Sequence, residues 1–250
     1  MNKLIHNLVS FGKLLNSTKS MPEENEYAKG HARTVPFFDC LNKLGFRPRH
    51  IVDIGANRGN WTRTAMRYFP DTHFTLFEPQ VELLAGSDLD GDKRVQIFAM
   101  GVGPTTATML LSKHARDDSF SFALSKAEAA ALGREQVEAP VVALDEFLPQ
   151  QGIPFPDMLK IDAEGWDLEV LKGAEAAVSK AEVVLLEAAV MNKRFPNKLP
   201  QVVAEMDKRG FVVLDITDLN RTVRDNALWL VEMAFVKADG VLDRKIDSYQ

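Results

Sequence analysis

The chain has 250 residues, 46% of them hydrophobic and 26% charged, with a formal net charge of -5. That length suffices for one well-packed α/β domain, and the acidic balance, with no dense Lys/Arg block, argues against a nucleic-acid partner. The single cysteine, Cys40, excludes an intramolecular disulfide framework and a cysteine-cage metal site; a reducing cytoplasm is the simplest address.

No apolar run approaches the roughly 20 residues of a membrane-spanning helix. Residues 1–19 carry Lys3, Lys13 and Lys19 with no acid, and Leu4, Leu8, Phe11 and Leu15 fall near helical spacing. His6, Asn7, Ser10 and Gly12 interrupt the apolar stretch, against a signal peptide. Such a helix either lies on a membrane surface or a partner or packs on its own domain; the short stripe favours packing. Residues 1–47 read as a helical extension capping the domain formed by 48–250.

From there the chain alternates. Residues 50–54 read as a buried strand between Pro48 and Gly55. A helix over 60–69 stops at Pro70-Asp71. Strand 73–78 ends at Pro79, and a short helix at 81–84 precedes strand 94–99. Further strands are expected at 158–162, 182–187, 211–216 and 227–237, with helices at 167–179 and 199–209. This alternation predicts a parallel sheet covered on both faces. Residues 103–147 break the rhythm with a hairpin strand (106–112), a polar loop, an Ala-rich helix (126–132) and a strand (137–144). Such an insertion often carries substrate contacts.

Several strands end on an acid: Asp53, Glu78, Asp162 and Glu187. In an open parallel sheet the ligand sits beyond these carboxyl ends. A carboxylate lining repels phosphate and attracts a cationic ligand with hydroxyls. Gly55 and Gly59 bracket the first strand-to-helix turn, where glycine permits close backbone approach, and N–H groups at the helix start suit a carboxylate. Glu78 follows about 20 residues on, at the spacing of a ribose-binding acid. An adenosine with an amino-acid tail meets all of these features. A nicotinamide dinucleotide does not: the spacing is G-x-x-x-G rather than G-x-G-x-x-G, and no Gly-Lys-Ser/Thr closes a P-loop.

The sequence resembles the FkbM-type methyltransferases that use S-adenosyl-L-methionine. The resemblance rests on Val52-Asp-Ile-Gly-Ala-Asn-Arg-Gly59, Phe77-Glu-Pro79, Leu144-Asp145, Leu159-Lys-Ile-Asp-Ala-Glu-Gly165 with Leu168-Glu-Val-Leu-Lys-Gly173, and the strand ending at Glu187. It implies a doubly wound, Rossmann-like α/β sheet of the class I methyltransferase type, mostly parallel with an antiparallel last strand. It implies methyl transfer to a hydroxyl oxygen of a saccharide, glycan or secondary metabolite. Carried over, Asp53, Gly55, Ala56, Asn57 and Gly59 form the cofactor loop. Glu78 and Pro79 border the ribose, Met100 and Gly101 the adenine. Asp162 and Glu164 stand near the reacting methyl. Arg58, Trp166 and Glu232 depart from the family's pattern.

A hydroxyl acceptor must lose its proton, and Asp162, Glu164 and Glu187 are the candidate bases. Lys160 lies two residues before Asp162 on the same side of its strand and is expected to neutralise a carboxylate in a buried pair rather than to catalyse. Mg²⁺ held by Asp162 and Glu187 would be an alternative way to acidify the hydroxyl, but two separated carboxylates are too little to assign a metal. His114, in the polar loop, is a weaker candidate base. Trp61 and Trp166 are expected to pack on helices rather than to stack on a ligand. N-methylation of a small molecule or protein, and a non-catalytic protein that binds the cofactor, remain as other readings.

Overall fold

A computed structural model describes residues 34–113 and 120–246. The expected helix at 1–19 and His114 lie outside these. Residues 34–43 are helical (α1). The main sheet then builds from β1 (His50–Ile54), β2 (His73–Phe77), β3 (Val95–Phe98), β8 (Met158–Ile161), β9 (Val183–Ala189), β10 (Phe211–Arg221) and β11 (Leu228–Lys237). Its order is β10-β11-β9-β8-β1-β2-β3. Strands β3, β2, β1, β8 and β9 run parallel, whereas β11 is antiparallel to both β9 and β10. The doubly wound sheet with an antiparallel last strand is therefore present.

Period-two alternation sends side chains to two cores. Val52, Ile54, Leu159, Ile161, Val184 and Leu186 face α4 (Leu144–Gln150), α5 (Asp167–Lys172), α6 (Glu175–Lys180) and α7 (Leu199–Lys208). Ile51, Phe74, Leu76, Met158, Val183 and Leu185 face α1 and α2 (Asn60–Tyr68). Phe37, Phe38 and Leu41 of α1 are fully buried, each worth about 2 kcal/mol of apolar burial. The Phe38 ring meets Trp61, Tyr68 and Phe69, so α1 is fastened to α2 by aromatic contacts.

The stretch after β3 forms a second sheet, ordered β4-β7-β5-β6, from Gly101–Val102, Gln136–Val142, Ala107–Lys113 and Phe120–Ser121. Leu111, Phe122, Ala139 and Val141 make its own small core. Helix α3 (Lys126–Ala131) starts on a capping box in which Ser125 and Glu128 satisfy each other's backbone N–H groups.

Two expected elements change. The strand expected over 137–144 ends at Val142, and Leu144 opens α4, whose Leu144, Phe147 and Leu148 are buried. The single helix expected over 167–179 is two, α5 and α6, parted at Gly173 and Ala174. A Cβ on Gly173 would stand 2.0 Å from the Gly103 carbonyl oxygen, so the second sheet crosses where a continuous helix would place a side chain.

Candidate active site

Connections from β1 lead to β2 and β3 on one side, and β8 and β9 lie on the other. Strand order therefore reverses between β1 and β8, where ligands bind in such sheets. A cleft of about 600 Å³, open mouth included, lies there. Its floor comes from Ile54, Gly55 and Asn57 after β1, Phe77 to Gln80 after β2, and Asp162 to Glu164 after β8. Its roof comes from Leu111, Phe120 and Phe122 of the second sheet.

The loop after β1 is tied to its neighbours on both sides. Gly55 and Ala56 donate N–H groups to the Phe77 carbonyl at 2.9 and 3.2 Å. Gly55 has φ 75°, and a Cβ there would lie 1.8 Å from the Asp162 carbonyl oxygen; only glycine lets β1 and β8 close to this distance. Asn57 (φ 50°) donates its N–H to Glu78 Oε2 at 2.7 Å, and its own Oδ1 accepts from Arg58 N. Glu78 Oε1 accepts from Gln80 N at 2.8 Å. Burial pushes the Glu78 pKa up; these two N–H groups pull it down, and Asp53 and Asp162 raise it further.

Asp53 is fully buried beneath the loop rather than in the cleft lining. Its Oδ2 accepts from Thr62 Oγ1 of α2 at 2.5 Å, and Lys160 Nζ lies 3.5 Å from its Oδ1. Lys160 also reaches Asp162 Oδ2 at 3.2 Å and sits 5.8 Å from the centre of the Trp61 ring. Burial opposes the Lys160 ammonium, but Asp162, Asp53 and Glu232 outweigh it and hold its pKa above the ordinary lysine value. Lys160 is thus an electrostatic clamp between the end of β1 and the turn after β8.

The turn after β8 is held in an unusual conformation. Glu164 and Gly165 both have positive φ, 51° and 89°, which is uncommon for a glutamate. Asp167, fully buried, accepts from Gly165 N at 3.2 Å and Ala163 N at 3.4 Å. Asn197 donates to the same carboxylate at 2.9 Å and to the Glu187 carbonyl at 2.9 Å. From the other side Ser121 Oγ donates to the Glu164 carbonyl at 2.7 Å. Burial and then Asp162 raise the Asp167 pKa to about 7 despite its N–H donors.

Of the residues expected to hold the cofactor, Gly55, Asn57, Glu78, Pro79, Gly101 and Asp162 converge on the cleft; Asp53, Ala56, Gly59 and Met100 lie outside its lining. Gly59 caps α2 with φ 74°, where a Cβ would meet Leu89. Among the expected bases, Asp162 and Glu164 line the cleft and Glu187 does not. Arg58 is exposed. Trp61 and Trp166 are partly buried and pack against the cores. The roof lies within the insertion 103–147, where substrate contacts were expected, but Leu111, Phe120 and Phe122 were not singled out, although Phe120 and Phe122 alternate with serines at strand period; Asp167 and Asn197, which no local pattern marks, were missed. Among the described residues, no group of three or more His, Cys, Asp or Glu side chains is arranged to hold a metal ion, and no helix is long and apolar enough to cross a membrane.

The chain is 28% identical over 210 residues to methyltransferase sdnD of Sordaria araneosa, covering 72% of this chain and 76% of that protein. Among solved structures it is similar to the methyltransferase FkbM of Methylobacillus flagellatus KT, with 15% identity and a TM-score of 0.47 over 74% of this chain; it spans 43% of that chain's length. It is also similar to the N-methyltransferase NodS of Bradyrhizobium japonicum WM9, with 6% identity and a TM-score of 0.50, covering 87% of this chain and 99% of that one. A family model described as the methyltransferase FkbM domain matches residues 53–213. That match takes in most of the chain, both walls of the cleft and the turn after β8, and this protein belongs to the FkbM methyltransferase family.

Proposed function

We propose that this protein transfers a methyl group from S-adenosyl-L-methionine to a hydroxyl oxygen of a saccharide or secondary metabolite. The observation that carries the reading is the donor set around the cleft. Both Glu78 oxygens accept one backbone N–H each and retain lone pairs for a vicinal diol. Asp162 and Glu164 border the same space and favour a cationic centre. Val102, Leu111, Phe120 and Phe122 offer an apolar slot for a flat base. Among the described residues that line the cleft there is no lysine or arginine to suit a dinucleotide's phosphates. These residues fit the cofactor, with Glu78 on the ribose, Gly101 and the roof about the adenine, and Gly55 and Asn57 at the amino-acid end.

When bound, S-adenosyl-L-methionine supplies a methyl group already activated by its sulfonium. The protein's own residues orient, exclude water and take a proton. The ties from Asp167, Asn197 and Ser121 fix the turn carrying Asp162 and Glu164, so that the acceptor meets a rigid edge, and positioning of this kind accounts for much of the rate. Carboxyls whose pKa is raised toward neutrality are suited to receive the hydroxyl proton; Glu187, outside the cleft lining but level with Asp162 in the strand register, is raised well above the ordinary value by burial, then Asp162, Glu164, Asp167 and Glu232. Lys160, already paired with two carboxylates, holds the site together.

Calorimetric titration with S-adenosyl-L-methionine and with S-adenosylhomocysteine tests the shared premise. Both are expected to bind, and binding of neither overturns the reading. Mass spectrometry of sugar, glycan and polyketide-type acceptors incubated with the cofactor then reads the gain of one methyl group. Methylation found on an amine instead would replace the hydroxyl assignment.

A further inference from the structure

Strands β9 and β11 set Glu187 directly opposite Glu232. Side chains opposed in this way have Cβ atoms about 4.5–5.5 Å apart, and like charges there repel. Both residues are half-buried, and Glu187 Oε2 is fully buried with no hydrogen-bond partner. Thr217 of β10 holds the other member, donating Oγ1 to Glu232 Oε1 at 2.5 Å. Counter-charge is scarce. Around Glu187 lie Asp162 and Glu164 from the turn after β8, Asp167 of α5, and Glu232 itself. Around Glu232 lie Lys160, Asp162 and Asp218, and Lys160 is already shared between Asp162 and Asp53. Two full negative charges opposed at this spacing and partly shielded from water are the arrangement in which paired carboxyls retain one proton.

We infer that Glu187 and Glu232 form a carboxyl–carboxylate pair holding one proton between them, with Glu232 a positioning residue that tunes Glu187 as the base on the acceptor side. The pair's existence stands on the strand register; its use as a base rests on the methyl-transfer reading above. The register Ile161–Leu186 sets Glu187 level with Asp162, which borders the cleft. As the oxygen–carbon bond forms and the carbon–sulfur bond breaks with its electron pair left on sulfur, the hydroxyl proton passes to the pair. The pair then holds two protons and returns one to solvent. Loss of solvent and then the neighbouring acids push Glu187 well up, and loss of solvent brings Glu232 to about 7 although Lys160 and Thr217 pull it down.

Carbon-detected NMR titration of the glutamate carboxyls in the whole protein tests the pairing without any acceptor. The Glu187 and Glu232 signals are each expected to report two shared steps separated by more than about one pH unit. In Glu232→Gln the Glu187 signal should collapse to a single step at least about one unit below the upper shared one. Glu187→Gln should do the same to Glu232, and serves if the first variant does not fold. Single, independent steps in the wild type, or a partner unmoved by either substitution, overturn the pair. Titration with S-adenosylhomocysteine on the same samples separates the two ideas. Independent steps in a protein that binds it discard the pair alone. Paired steps in a protein that binds no cofactor discard the role of Glu187 as a base.

Discussion

Lys160 decides whether the two halves of the cofactor edge stay together. Its side chain is 5% exposed, that of Asp53 is fully buried, and that of Asp162 is 38% exposed. A pair this deep differs from the exposed Lys172–Glu169 pair of α5, which contributes about 0–1 kcal/mol. Lys160→Met is expected to lower stability by about 3–5 kcal/mol, because it leaves Asp53 buried without its counter-charge; urea unfolding followed by circular dichroism reads the loss. The same substitution in the Lys172 pair should be near neutral. That Lys160 pairs with a carboxylate was legible in the sequence, since it shares a strand face with Asp162. Its second partner, Asp53, was not, because that contact depends on which strand lies beside β8.

At the scale of elements, the break between α5 and α6 shows how a distant residue sets a boundary. Residues 167–179 have continuous helical character in sequence, yet the chain restarts at Glu175. Asp145, at the start of α4, supplies the reason: its two carboxylate oxygens accept from Ala176 N and Ala177 N at 2.7 and 2.9 Å, while its own N–H donates to the Gly173 carbonyl. A cap drawn from 31 residues away is invisible to a local pattern. Asp145→Ala should cost about 1–2 kcal/mol, the loss of a helix cap, measured as a lower urea midpoint with an unchanged slope. The second sheet follows the same logic. Its strands were partly legible as alternating stretches, but their assembly into a roof over the cleft required β4 to pair with β7 across the intervening hairpin.

Across the whole molecule, buried carboxyls govern the response to pH. Asp167 and Glu232 are brought to about 7, and Glu187 is raised well above the ordinary carboxyl value, in each case first by burial. Folded, these groups hold protons that the unfolded chain releases above about pH 4. Their stabilising contribution is complete below that pH and is lost as pH rises toward 7. His50 acts oppositely: burial lowers its pKa, so its contribution is lost as pH falls below about 6.5. Half-exposed surface carboxylates such as Asp92 and Glu205, held at about 2 by hydrogen bonds from Arg94 and from Lys208 and Arg209 respectively, add little. With Asp167, the Glu187–Glu232 pair and Glu78, whose pKa burial also raises, set against His50, the urea midpoint is expected to fall between about pH 5 and pH 7.5; a midpoint that rises over this range would contradict the assignment.

The sequence by itself determined the fold class, the loop Asp53 to Gly59, the strand-end acids and the family, since each is written in hydrophobic period, glycine placement or a contiguous motif. Those signals are local, and local signals survive without coordinates. The tertiary structure alone decided which acids line the cleft and which lie beneath it, what Gly55 must avoid, how Asp167 and Asn197 hold the turn after β8, and that Glu187 faces Glu232. Each of these depends on strand order and register, and a shift of one residue in register would turn every side chain to the other face of the sheet.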